Sequence, residues 1–349
     1  MTVRQRIQLM EVRGLRVAYA TMGDGPLLLF PPPSFGHLAM ELESREMRSF
    51  FEALASRYTL VRYDRVGTGL SDRERGPETL TLEFEVDVLE ALVGNLGSAR
   101  VSLFGSSYGG VVAAAFSARR PELIKRLLLF GAYADGAAKT SSALLRSITG
   151  VVRADWELGS RLLIETFLPH ADREMASFYA GMRRESCCGE MAASLMELWA
   201  RTDLRDVAPQ IIAPTLALHR REDPVVPVAL GRALAALVPD ARFELLDGCW
   251  HHPWLGDMCA VLRLAGAFFG FRPPPPVAEA HLEAPGPALT TRELEVLRLV
   301  AEGLSDDTIA ERLVLSAHTV HRHMANIRTR LRQRSRAAAV AQAARSGLI

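Results

Sequence analysis

VSLFGSSYGGVVAAA, residues 101–115, is an apolar run that stops at Gly105-Ser106-Ser107-Tyr108-Gly109 and resumes as small residues with a helical pattern. A serine that exposes its hydroxyl at the end of a buried strand must turn sharply into the following helix, and flanking glycines relieve the crowding of that turn. The pentapeptide meets this demand with Ser107 at its centre. A glycine-rich strand–helix turn can also be purely structural, so the rest of the chain has to decide between the two readings.

Outward from this turn, short apolar runs alternate with longer helical patterns. Strands are expected at "RVAYAT" (16–21), "PLLLFP" (26–31), "YTLVRYD" (58–64), "RVSLFG" (100–105), "RLLLFGA" (126–132), "PTLALH" (214–219) and "RFELLD" (242–247). Helices are expected over 46–57, 81–97, 108–120, 227–238 and 257–270. Strands that are apolar throughout and alternate with helices predict an α/β fold, a mostly parallel sheet covered on both faces. Residues 134–208 break the rhythm. They read as helical and carry Trp156, Phe167, Phe178, Met182, Met191, Met196 and Trp199, which predicts a helical lid inserted between two strands. Those large side chains suit an apolar ligand, although such residues more often form the core of the lid itself.

Serine chemistry needs a base to take the hydroxyl proton and an acid to orient that base. Downstream, "LHRREDPVVP" sets Asp223 just past one strand, and "LLDGCWHHPWLGD" sets His251 and His252 just past the next. With the order Ser, Asp, His, with "LVRYDRVGTGLSD" at 60–72 and with "ARRPELIKRLLLFG" at 118–131, the chain resembles the α/β-hydrolase family over residues 12–270. The resemblance implies Ser107 as nucleophile, Asp223 as orienting acid and, because Gly248 and His251 match the family's Gly-x-x-His, His251 as base beside a packing His252. The N–H of Tyr108 follows from the turn as one oxyanion donor. The family usually carries His-Gly after the strand that supplies the second donor, whereas this chain reads "LLLFPPPSFGHL". Pro31, Pro32 and Pro33 have no N–H, which leaves Ser34, Phe35 or Gly36. Loss of one donor costs about two orders of magnitude in rate, so an intact triad with slow turnover is expected. The proline loop followed by His-Leu also resembles hydrolase-like sensor domains fused to DNA-binding tails.

The last 61 residues, 289–349, hold ten arginines and six acids, and past Glu311 there are eight arginines and no carboxylate. So local a basic block suggests a polyanion partner for this segment alone. Apolar residues at 294, 297, 299 and 300, then 309, 310 and 313, then 320, 324 and 327 mark three short amphipathic helices, with Ser305 and Ser316 at N-cap positions and Gly303 at a helix end. Through Thr290, Glu293, Val296, Leu297, Gly303, Ile309, Ala310, Thr319, Val320, Ile327 and Leu331 the segment resembles the LuxR-type helix-turn-helix family across four helices. The resemblance implies duplex DNA as partner, a recognition helix over 317–331, and a last helix, "SRAAAVAQAARSG", that forms a homodimer contact. His321 and Arg322 are then candidates for base contact, Asn326 and Arg328 share their face, and Ser316, Thr319, His323 and Arg330 are candidates for phosphate or sugar contact.

A chain of 349 residues with "FRPPPPVAEAHLEAPGPA" at 271–288 divides into an α/β-hydrolase-like domain (1–270), a proline-rich linker (271–288) and a small all-α DNA-binding domain (289–349). Neither a signal peptide nor a membrane span is legible in the sequence, so a cytoplasmic location is expected. Cys187, Cys188, Cys249 and Cys259 lack C-x-x-C spacing, and no metal site or cofactor is expected. The function this implies is a regulator whose first domain binds a small, apolar, carbonyl-containing molecule and biases a DNA-binding homodimer. The alternatives are a working esterase or lactonase with Ser107, Asp223 and His251, and a scaffold whose lid binds a protein.

Overall fold

Runs such as LLLF and RLLLF have no polar alternation, so both faces of each strand need cover. The computed structural model describes residues 4–271, 289, 291–313, 315–331, 333, 335–345 and 348–349, and the chain divides into two units, 1–282 and 283–349. The larger unit is built on β1 (Arg6–Val12), β2 (Leu15–Met22), β3 (Leu27–Phe30), β4 (Thr59–Tyr63), β5 (Val101–Ser106), β6 (Ile124–Phe130), β7 (Thr215–Arg220) and β8 (Ala241–Leu246). These form an 8-stranded sheet in the order β1-β2-β4-β3-β5-β6-β7-β8. The β1–β2 and β2–β4 pairings are antiparallel, and all the others are parallel.

The covering helices are α1 (Leu38–Glu41), α2 (Arg45–Ala55), α3 (Leu82–Asn95), α4 (Ser107–Arg119), α9 (Val228–Leu237) and α10 (Met258–Phe269), with α5 (Ser142–Ala154), α6 (Trp156–Phe167), α7 (Arg173–Ser186) and α8 (Gly189–Arg201) inserted between β6 and β7. Successive strand residues face opposite sides. Leu29, Leu103, Leu127 and Leu129 accordingly share one core with Phe84, Leu89, Val111 and Val112 of α3 and α4. Phe30 and Phe104 face the other way, into an aromatic cluster with Phe50, Phe51, Trp254 and Phe269. In the insertion, Ser141, Asp155 and Asp172 each accept from the backbone N–H three residues on, which starts α5, α6 and α7 where the sequence places a capping side chain.

One strand is absent from the sequence reading. β1 lies at the sheet edge with most of its side chains exposed, so burial imposes no clear pattern on it. It joins β2 through Arg13 and Gly14, both at positive φ (50° and 79°), a tight hairpin that an Arg-Gly pair does not advertise.

From β3 the chain passes to β4 on one side, while β5 lies on the other. A crevice opens at the carboxyl ends of two strands whose connections diverge in this way. There the loop 31–36 and the Ser107 turn meet.

The smaller unit contains α11 (Thr291–Ala301), α12 (Asp306–Leu313), α13 (Ala317–Arg330) and α14 (Arg336–Arg345) around Leu289, Val296, Leu297, Ile309, Val320, Met324, Ile327, Ala339 and Ala343. Apart from Phe271, the proline-rich segment 271–288 lies outside the described residues. Among the described residues no helix is long and apolar enough to cross a membrane.

Candidate active site and DNA-binding surface

Ser107 is the first residue of α4 and has φ 51°, one of two non-glycine residues at positive φ among those described. An L-residue held there stores strain of the kind that collects at functional turns. Close backbone approach makes the turn possible: a Cβ on Gly109 would stand 2.4 Å from the carbonyl oxygen of Pro31. The proline loop therefore packs directly on the start of the serine helix.

Asp223 follows β7, and its carboxylate is fully engaged. Oδ1 accepts from the N–H groups of Val225 and Val226 at 2.8 and 3.0 Å, and Oδ2 lies 2.7 Å from Nδ1 of His251. Burial pushes this carboxyl up, but the attraction and hydrogen bond of His251 outweigh it and hold Asp223 below the usual carboxylate range. With Nδ1–H donating to Asp223, the lone pair of a neutral His251 sits on Nε2. That nitrogen is buried and has no hydrogen-bond partner among the described residues, Ser107 included. Gly131, at the end of β6 with φ 57°, leaves the space: a Cβ there would stand 3.2 Å from Cε1 of His251 and 3.4 Å from Oδ2 of Asp223. The sequence reading missed Gly131, whose only local signal is a glycine directly after a strand.

Arg220 and Arg65 hold the flanking loops. Nη1 of Arg220 donates to the carbonyls of Trp250 and His252 at 2.7 and 3.1 Å, which fixes the histidine loop from both sides of His251. Arg65, paired with Glu85 at 2.8 Å, donates to the carbonyls of Ser34 and Pro32 at 2.9 and 3.1 Å. In a trans peptide the C=O and the next N–H point in opposite directions, so the N–H of Phe35 faces away from Arg65. Its ring is buried against Trp199 and Trp156, with centroids 5.0 and 6.2 Å away, while Ser34 is half-buried. Tyr108 is fully buried.

The lid is closed over this crevice. Ser186 donates to the carbonyl of Gly36 at 2.6 Å and the indole of Trp254 donates to the hydroxyl of Tyr179 at 2.8 Å, while within the lid the indole of Trp156 donates to the carbonyl of Cys187 at 2.7 Å. Met196 and Trp199 are buried in the core shared with α3 and α4, and Met182 is buried against the cavity under the lid. The cavity left between loop 33–36, α7 and His252 measures about 10 Å³, room for one water molecule. No cluster able to hold a metal ion occurs among the described residues.

In the smaller unit, α13 carries His321, Arg322 and Asn326 exposed, on the side away from buried Val320, Met324 and Ile327, with His323 and Arg328 half-buried at the borders of that stripe. Ser316 caps the helix, accepting from the N–H of Thr319 at 3.1 Å, and its hydroxyl meets that of Thr319 at 2.8 Å. The two hydroxyls thus have a structural task besides the phosphate contact expected of them. Only the backbone of Arg330, the last residue of α13, is described. Asp306 pairs with Arg336 of α14 and ties α12 to it.

Comparison with known families places residues 41–257, well over half of the chain, in "Serine aminopeptidase, S33", and residues 287–343 in "Bacterial regulatory proteins, luxR family". The putative carbamate hydrolase RutD of Yersinia enterocolitica is 27% identical over 56% of this chain and 72% of its own. Pyrrolizixenacetamide deacetylase of Xenorhabdus hominickii is 27% identical over 69% of this chain and 91% of its own. Among solved structures, the enol-lactonase of Burkholderia xenovorans LB400 superposes with a TM-score of 0.66 at 23% identity, covering 75% of this chain and all of the lactonase. That likeness is one of fold.

Proposed function

The chain belongs to the serine aminopeptidase (S33) family of α/β-hydrolases and ends in a luxR-family domain, and from that premise we propose that it is a cytoplasmic, ligand-responsive transcriptional regulator acting as a homodimer on duplex DNA. The observation that carries the reading is α13 within the luxR-family match: His321, Arg322 and Asn326 stand free of the core on one face of a helix capped at Ser316. A helix-turn-helix presents such a face to the major groove, with arginine able to bond guanine in bidentate fashion. The large unit supports the sensing half of the reading. Its proline loop offers few N–H donors for an oxyanion, and its lid is tethered shut, which suits retention of a small apolar ligand over rapid turnover.

The test is binding of the full-length protein to its own promoter region and to random duplex across a salt series. A salt-sensitive preference for the promoter is expected, with Arg322→Ala cutting that preference by about 5- to 150-fold, the 1–3 kcal/mol of a bidentate base contact. Equal affinity for both duplexes overturns the reading.

A second reading, slow serine hydrolysis of an ester, lactone or amide, is favoured by the 2.7 Å Asp223–His251 contact and the strained Ser107. In it Ser107 attacks the carbonyl carbon, His251 Nε2 takes the hydroxyl proton, and the N–H of Tyr108 with one from Ser34 or Phe35 faces the developing oxyanion. It is compatible with sensing, since turnover would end the signal. Labelling by a fluorophosphonate that vanishes in Ser107→Ala supports it; an unlabelled wild-type protein leaves the crevice a binding site only.

A further inference from the structure

Buried charges in folded proteins are paired or fully hydrogen-bonded, because the low-dielectric interior penalises a lone one. Two side chains beneath the lid depart from this together. Arg183, on α7, is 2% exposed, and its guanidinium lies 4.9 Å from the ring centre of Phe167 and 5.9 Å from that of Phe35. Among the described residues no carboxylate stands within ion-pair distance of it, and its Nη1 is buried without a hydrogen-bond partner. His252 is 3% exposed, stacks on Trp254 at 4.9 Å and lies parallel to Tyr179 at 6.2 Å. Among the described residues neither of its ring nitrogens has a hydrogen-bond partner, although one must carry a hydrogen.

Both residues line the 10 Å³ cavity, together with Ser34, Gly36, Tyr179 and Trp254. The one carboxylate in that lining, Glu41, is taken by Arg62. Burial brings Arg183 down to about 10, still charged at neutral pH. Burial, then the neighbouring His251, Arg183 and Arg220, push His252 well below the usual imidazole value, and only Asp223 opposes them. The cavity is thus lined by a cation with no carboxylate partner among the described residues, beside an imidazole that burial holds towards its neutral form. An anion supplies what both lack: it satisfies Nη1, and its charge favours a protonated His252 whose two N–H groups can then donate. A planar two-oxygen anion fits the guanidinium fork, and the surrounding Phe35, Phe167, Met182 and Trp254 are apolar.

Resting on the reading of this unit as a ligand-binding domain, we propose that the cavity is a carboxylate subsite: the ligand's carboxylate pairs with Arg183, and His252 takes up one proton from solvent as it enters. The ligand is then an apolar molecule with a carboxylate at one end, and because the closed cavity has room for one water only, the lid has to open to admit it and to settle wider around it. Neither residue was assigned a ligand role by the sequence reading, in which His252 only packed.

The test uses full-length protein and a probe panel of acetate, butyrate, hexanoate, octanoate and phenylacetate, each beside its primary amide, in calorimetry at pH 7.5 in two buffers of different ionisation enthalpy. At least one carboxylate is expected to bind tenfold or more tighter than its amide, with uptake of close to one proton per ligand. Arg183→Met should weaken that carboxylate by about 10- to 100-fold, the range for a charge-assisted hydrogen bond, without lowering the melting temperature. Arg183→Lys, which keeps the charge and loses the fork, should fall between. His252→Phe should keep the carboxylate preference and lose the proton uptake. Amides that bind as well as acids, a panel in which nothing binds, or a preference that survives Arg183→Met and Arg183→Lys overturns the subsite. No readout involves DNA, so promoter binding that fails while carboxylates bind counts against the regulator reading alone, and the converse against the subsite alone.

Discussion

At the scale of single residues, the strain at Ser107 and the neutral histidines make measurable demands. A non-glycine residue in the left-handed region costs about 1–3 kcal/mol, so Ser107→Gly should be more stable than Ser107→Ala by about 1 kcal/mol in urea unfolding, with neither labelled by a fluorophosphonate. Equal stability of the two variants would show that the backbone carries no strain there. His219 and His252 are both held below the usual imidazole value by burial. In the unfolded chain each takes up a proton near pH 6.5. The unfolded state therefore binds more protons below that pH, and stability falls as pH drops from about 6.5, by up to about 1.4 kcal/mol per unit for each group. Asp223 acts in the same direction further down: with its carboxyl held below the usual 3.8, its contribution is present above that value and lost as pH falls through the lowered one. Urea midpoints between pH 7.5 and 5 should show this slope, reduced by up to about 1.4 kcal/mol per unit in His252→Phe. An unchanged slope would mean that His252 is protonated in the folded state.

At the scale of elements, the loop after β3 depends on a buried ion pair rather than on its own sequence. Arg65 joins Glu85 of α3 to the carbonyls of Pro32 and Ser34, and both members of the pair are 1% exposed in their side chains. Arg65→Met leaves Glu85 with Arg75 at 3.5 Å as its ionic partner, and a broken buried pair costs about 3–5 kcal/mol. Adding Glu85→Met and Arg75→Met together should recover part of that, because no buried charge is then left without a partner. A triple variant no more stable than Arg65→Met would assign the loss to the loop bonds instead. Elements of this kind mark the limit of what the sequence alone shows. Strands β3 to β7 are legible because burial on both faces imposes a local apolar pattern; edge strand β1 is not, because exposure leaves it none, whereas β8, at the other edge and mostly half-buried, keeps a readable Phe-Glu-Leu-Leu run. Asp223 and His251 are legible as strand-end residues in a known order. Arg183, Arg65 and Arg220 are not, because nothing local separates an arginine buried under a lid from one on a solvated helix.

At the scale of the whole molecule, two units with separate cores predict two unfolding transitions. At about 0.7 kcal/mol per residue near 60 °C, residues 283–349 should absorb about 45 kcal/mol and residues 1–282 about 200 kcal/mol in scanning calorimetry. Mass action stabilises whichever unit a ligand binds, by about 2.7 kcal/mol at a hundredfold excess over Kd. For the smaller unit that raises the transition by about 10–20 °C when specific duplex is present. Each ligand moving its own transition would establish two binding sites and nothing more. A regulator needs a coupling free energy, and coupling is reciprocal: if a carboxylate changes DNA affinity by some factor, DNA changes carboxylate affinity by the same factor. The decisive measurement is therefore promoter affinity with and without a carboxylate that binds, beside carboxylate affinity with and without promoter. Equal factors different from one are expected, about 5- to 150-fold for ordinary allosteric coupling. Two factors of one would leave a DNA-binding protein that carries a carboxylate pocket without being governed by it.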